Sequence, residues 1–173
     1  MGRTEATGIA IVGAWVGWTL FMWFAATRSF RTVDGVLASS RPEFQQAVQP
    51  LAHDQARAVL RYLASEINRR LFRTYGWVQI VLGVVLVLLL GRRAPRDAVA
   101  LVLAGVMLGL VLVLTLFVQP EIVALGRSID FAPRDPAPPA MARFWMLHRT
   151  FTGLDSLKLL AALAMLVRWI ARA

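Results

Sequence analysis

Cysteine is absent from this chain, which removes disulfides, thiolate zinc sites, iron–sulfur ligation and cysteine nucleophiles together. Histidine is almost absent. Only His53 and His148 are present, so a haem held between two imidazoles would need His53, which lies in a polar stretch. No serine sits in a nucleophile-elbow sequence, and no complete catalytic or cofactor motif can be read. Lysine occurs once, as Lys158, and the other basic residues are arginine. That bias points to a GC-rich, bacterial genome. Acidic residues are outnumbered ten to nineteen, for a net charge of +9 at pH 7. The excess does not point to nucleic acid, because no RNA- or DNA-binding module is present and the arginines flank apolar runs. Anionic lipid headgroups are the expected partner. These absences predict a chain without enzymatic activity, cofactor or metal site.

Apolar length is abundant. Hydrophobic residues make up 58% of the chain and mean hydropathy is +0.60, above the ~45–50% apolar content of soluble domains. From Ala98 to Val118 there is no charge, amide or proline, which is the length a helix needs to cross a bilayer's hydrocarbon. The run shows no alternation of apolar and polar positions, so a helix rather than a barrel strand is expected. A second span is predicted at 74–91. Its apolar centre, Ile80 to Leu90, favours insertion by about 3 to 6 kcal/mol. Arg92, Arg93, Pro95 and Arg96 form a tight turn into the third span, so spans two and three make a hairpin. A first span at 8–27 is read as a retained helix rather than a secretory signal, because its apolar stretch exceeds a signal core and Phe24-Ala25-Ala26 is a poor cleavage site. The fourth span is placed at 148–168. Only Leu159 to Val167 is cleanly apolar there, and Asp155 and Lys158 fall inside. Each would cost about 2.5 to 3.5 kcal/mol at a helix centre, so this helix requires protein neighbours.

The fold expected is therefore all-α, an integral membrane four-helix bundle in one domain over residues 1–173. An additional amphipathic helical segment at 41–73 lies between spans one and two. Ser40 and Glu43 match a capping box with Pro42 in the first turn. Val59, Leu63, Ile67 and Leu71 recur every four residues opposite Arg57, Arg61, Arg69 and Arg70, the pattern of an interfacial helix with a solvated basic face. Residues 131–140 are a proline-rich linker. The two long loops share a side and carry twelve basic and seven acidic residues. Counting basic residues puts them in the cytoplasm, although the Arg92, Arg93, Arg96 cluster pulls the other way. The bacterial inner membrane is the expected location.

Two sets of residues stand out within the spans. Gly13 with Gly17, and Gly105 with Gly109, are GxxxG pairs that let helices approach closely, either inside the monomer or between copies. Trp15 and Trp18 lie too deep for an interface belt and read as packed core or, alternatively, as a ligand platform. His148, Thr152 and Asp155 fall within ~60° of one another around a helix and make a polar stripe entering the membrane. Gln79, Gln119, Glu121, Arg73 and Tyr75 lie at a similar level as a polar vestibule, and Lys158, Glu121 and Gln79 complete the candidate polar intramembrane site. Ionisable residues at that depth mark a function or an internal ion pair. The stripe either fixes bundle packing or lines a path for an ion or small solute. A metal site from His148, Asp155 and Glu121 is chemically possible, but no spacing demands it. The rival class is an assembly subunit that recruits a membrane-protein partner through its basic amphipathic helix.

Three stretches, RRLFRTYG at 69–76, LFVQPEI at 116–122 and FWMLHRTFTGLD at 144–155, together resemble the transmembrane protein 205-like family of small four-helix membrane proteins, a domain of unknown function. Leu147, His148, Leu154 and Asp155 fit that family's Leu-His and Leu-Asn positions. The chain departs by carrying Asp155 where asparagine is usual, and Phe151 and Thr152 where serines fall. Segment 36–62 is expanded. The resemblance implies a four-helix membrane bundle with no established reaction, substrate or cofactor.

Overall fold

The computed structural model describes residues 2–92, 97–133 and 135–172, with every side chain in them except that of Arg3. The chain forms α1 (Arg3–Leu37), α2 (Pro42–Val48), α3 (His53–Gly91), α4 (Ala98–Val113), α5 (Gln119–Ser128) and α6 (Ala140–Ile170), with a π-helical turn at Leu114–Val118 joining α4 to α5. Four helical segments are long and apolar enough to cross a membrane: Thr4–Leu37, His53–Gly91, Ala98–Ser128 and Ala140–Ile170. They pack as a ring in the order α1, α3, α4, α6, with α6 closing on α1. The protein is an all-α integral membrane helix bundle. The expected turn residues Arg93, Pro95 and Arg96 lie outside the described residues.

Each long helix turns one seam inward, with residues spaced alternately three and four apart. Gly8, Val12, Trp15, Thr19 and Met22 do so on α1, and Ala100, Ala104, Met107, Val111 and Leu114 on the third span. On α6 the seam is Phe151, Asp155, Lys158, Ala162, Met165 and Trp169. This spacing is that of helices crossing at a shallow angle with interlocking side chains. The outer faces are the reverse of a soluble protein's: Phe117 is 68% exposed and Val167 66%. Large apolar side chains can stand there because lipid, not water, covers them.

The π-helical turn follows from Pro120. Proline has no N–H to return to residue 116, and its ring would crowd that carbonyl. The helix widens just before it, and the Gln119 amide bonds back to the Leu114 carbonyl. The extra residue moves the buried seam from Leu114 to Gln119, Ile122 and Gly126, so Glu121 faces outward.

At the end where the chain begins, Asp97 caps α4. Its carboxylate accepts from the Ala100 amide at 3.2 Å, from Arg168 of α6 at 3.1 Å and from Arg172 just beyond that helix at 3.4 Å. Burial alone would raise its pKa, but the Arg168 and Ala100 bonds and the two positive charges hold it below the ordinary aspartate value. At the other end Arg69 donates to both oxygens of Asp130 at 2.8 Å and to Glu66 at 2.5 Å, tying α3 to the end of α5.

Several expectations need correction. The amphipathic helical segment lies between spans one and two as expected but is divided: α2 stands apart, and from His53 the chain runs unbroken into span two within the 39-residue α3, about 58 Å long at 1.5 Å per residue. Its basic face is only partly solvated, since Arg70 is exposed but the other arginines have protein partners. Arg57 bonds Asp34 at 2.9 Å, the Arg61 guanidinium lies over the Phe30 ring and Arg69 is engaged as above, while Val59, Leu63 and Ile67 point outward. Arg41, not Ser40, is the N-cap of α2, and it makes no side-chain capping bond. The GxxxG pairs do not mediate packing in the bundle: a Cβ on Gly13, Gly17, Gly105 or Gly109 would meet nothing within 4 Å. All four lie off the inward seams and are exposed. The close approaches are made elsewhere. A Cβ on Gly76 would lie 2.5 Å from the Thr115 hydroxyl oxygen, and one on Gly83 would lie 2.9 Å from Leu108.

Two predictions follow from this packing. Gly76→Ala forces Thr115 aside and lowers stability by about 1 to 3 kcal/mol, whereas Gly13→Ala and Gly105→Ala stay within about 0.5 kcal/mol of native; thermal midpoints in detergent distinguish the two classes. Asp97→Asn removes the charge while keeping a capping side chain, and costs up to about 1 kcal/mol at pH 7. Because the folded pKa of Asp97 is depressed, its stabilisation is complete above the unfolded value near ~3.9 and is lost as pH falls through the folded value. The gap between native and variant midpoints therefore closes below about pH 4.

A closed polar layer inside the bundle

Two apolar clusters fill the bundle. One runs from Val12 and Trp15 through Leu90, Ala100 and Met107 to Met165 and Trp169. The other is built on Met22, Tyr75, Leu114 and Phe151. Between them lies a polar layer. Lys158 stands nine residues after Arg149 and ten before Arg168, roughly 14 and 15 Å along the helix, so its stem starts near the middle of a ~30 Å hydrocarbon layer.

Lys158 is fully buried and Asp155 is 1% exposed. The i, i+3 spacing brings them together on one face of α6, and the Lys158 ammonium donates to Asp155 Oδ1 at 2.5 Å. Its other two bonds go to α3: Gln79 Oε1 at 2.6 Å and the Tyr75 hydroxyl oxygen at 3.0 Å. An ammonium has three protons, and all three are placed. The carboxylate is equally occupied. Tyr75 donates to Asp155 at 3.0 Å and the Trp23 indole donates to Oδ2 at 2.8 Å. The Gln79 amide nitrogen donates to the Thr19 hydroxyl oxygen at 3.4 Å, and that hydroxyl donates to the Trp15 carbonyl at 3.0 Å. The layer thus joins α1, α3 and α6, and it is neutral overall. The π-helical turn lies beside it, with Thr115 against Gly76. The crevice there, lined by Tyr75, Gln79, Thr115, Gln119 and Asp155 among others, has no room for a water molecule.

Of the six residues expected in the site, Asp155, Lys158 and Gln79 meet. His148, Thr152 and Glu121 do not. His148 stacks on Phe144 with ring centroids 6.0 Å apart and meets the edge of Trp145. Thr152 is exposed and returns its hydroxyl to the His148 carbonyl at 3.0 Å, a local bond that satisfies a hydroxyl facing lipid. Glu121 pairs with Arg143 at 3.1 Å on the exposed surface. Among the described residues no three histidine or acidic side chains gather as a metal cluster, and His148, Asp155 and Glu121 are apart. Trp15 is core, while Trp18 stacks on Phe21. Sequence reasoning placed Tyr75 at the level of the site and missed Thr19 and Trp23 as members. For Thr19 a signal was present, since it falls on the three-four seam of α1 between Trp15 and Met22.

The family model for Domain of unknown function (DUF4149) matches residues 10–129. That stretch carries Thr19, Trp23, Tyr75 and Gln79 and ends before α6. No curated protein and no solved structure matches the chain. The family match spans most of the sequence, and the protein belongs to the family described as Domain of unknown function (DUF4149).

Proposed function

We propose that this is a non-enzymatic membrane protein of the bacterial plasma membrane whose Asp155–Lys158 layer locks three helices in register, rather than lining a route for an ion or solute. The observation that carries this reading is saturation: Lys158 gives each of its protons to a protein acceptor, and the crevice beside the layer at Thr115 and Gln119 has no room for a water molecule. A conducting site keeps ligand positions open to the permeating species, whereas a register lock closes them. Neutral pairing also suits the position, since an unpaired charge at mid-bilayer is costly. The resemblance to the transmembrane protein 205-like group supports the same architecture without adding a reaction. The basic-residue count favours long loops in the cytoplasm. Arg92 and Arg172 stand exposed at the opposite end, where anionic headgroups would meet them.

A lock and a path respond differently to substitution. Asp155→Ala leaves Lys158 buried without its counter-charge, as Lys158→Met leaves Asp155, and each costs about 3 to 5 kcal/mol. The pair Asp155→Leu with Lys158→Met recovers most of that loss, because an apolar replacement of both partners is close to neutral. Thr152→Ala, outside the layer, stays within about 0.5 kcal/mol. Thermal midpoints in lipid nanodiscs measure all four. Liposomes holding the purified native chain are expected to show no flux of protons or divalent cations. A flux present in the native protein and lost in Asp155→Asn overturns the reading.

A further inference from the structure

On α3, Val59, Leu63 and Ile67 form an outward stripe, each between 45% and 56% exposed. Tyr62 lies beside it and packs against the exposed Phe131, with ring centroids 5.1 Å apart. The next outward positions towards the membrane are Arg70 and Arg73, both exposed. Trp77 follows them and is also exposed, the order expected where a helix enters lipid, with arginine above and an aromatic anchor below. Ile67, Leu63 and Val59 precede Arg70 by three, seven and eleven residues, roughly 5, 11 and 17 Å along the helix. The headgroup region on each side is only about 5 to 7 Å deep, so lipid reaches Ile67 but leaves Leu63 and Val59 uncovered.

A second copy fits this stripe poorly. Copies of one chain in the same membrane share an orientation, so a two-fold pairing through α3 is parallel and sets each residue against itself. Arg70 would then face Arg70 at the edge of the apolar contact. The acid nearest this flank offers no relief, because Glu66 is held by Arg69 at 2.5 Å and by Arg127 at 3.7 Å. The charge calls for carboxylates from a different chain.

We infer that the stripe of Val59, Leu63 and Ile67 with Arg70 and Arg73 is the docking surface for another membrane protein. The partner enters the bilayer beside α3 and carries aspartate or glutamate at its membrane boundary, opposite the two arginines. Its helix continues outward with an apolar face that covers Leu63 and Val59. Of the basic face that the sequence pattern singled out, Arg57, Arg61 and Arg69 make contacts within the protein, and Arg70 alone joins the apolar stripe in docking. This inference is independent of the role given to the polar layer.

The test places the photo-reactive residue p-benzoylphenylalanine at Leu63 in the full chain, in intact membranes of the cells that carry it, and identifies cross-linked peptides by mass spectrometry. The expected result is an adduct to a different membrane protein, through a helix with acidic residues beside a span. Its yield falls at least tenfold in Arg70→Glu/Arg73→Glu and is retained in Arg70→Lys/Arg73→Lys. Because both arginines are exposed, the reversal variant keeps the native thermal midpoint; if it does not, Arg70→Gln/Arg73→Gln replaces it, with the same drop expected. The same probe at the lipid-facing Leu160 gives no such adduct. An adduct at twice the chain's mass, lipid adducts alone, no adduct, or a protein adduct indifferent to the charge variants each overturns the inference.

Discussion

An ammonium group inside a bilayer must hand each of its three protons to an acceptor, and the arrangement of this bundle follows from that demand. Lys158 finds one acceptor on its own helix and two on α3. Its counter-ion, Asp155, draws a further bond from Trp23 of α1. Satisfying one side chain therefore fixes the rotation and height of three helices at once. Apolar packing cannot do this alone, because between helices in lipid there is little hydrophobic force and one apolar contact is much like another. The polar layer distinguishes the native register from a neighbouring one, in which Lys158 would face Leu or Val.

The layer also explains why α6 is tolerated. Its apolar stretch is short, and its two intramembrane charges would oppose insertion in isolation. In the bundle the charges neutralise one another and face inward, while the lipid side keeps Leu157, Leu160, Leu163 and Val167. Helix-level amphipathicity is thus inverted relative to a soluble bundle, with the polar residues central and the apolar ones outside.

The sequence made the spans and the Asp155–Lys158 pair legible, because length, composition and i, i+3 spacing are local properties. What it hid was set by azimuth and register between helices. Glu121 sits seven residues, about two turns, beyond Leu114, where three-four spacing points it inward. The π-helical turn before Pro120 inserts one extra residue and swings it to the surface. His148 has the right azimuth but lies about two turns from Asp155, among Phe144 and Trp145, which supply its contacts. Trp23 was indistinguishable from the other tryptophans of span one until the antiparallel offset of α1 and α3 set it at the height of α6's charges, whereas Thr19 stood on the seam of α1 and Tyr75 already lay at that level. GxxxG spacing misled for a related reason. The motif is a property of one helix, whereas close approach depends on which seam that helix turns inward, and Gly76 and Gly83 lie on that seam without any motif to mark them.

The length of α3 has a mechanical consequence. It is one unbroken helix from His53 to Gly91, carrying Val59 near its outer end, where Arg57 bonds Asp34 of α1, and Tyr75 and Gln79 where it crosses the layer. A rod of this kind has no internal joint at which to dissipate a twist. A rotation of α3 about its axis would therefore reach Gln79, and through the Gln79 bond the lysine at mid-membrane.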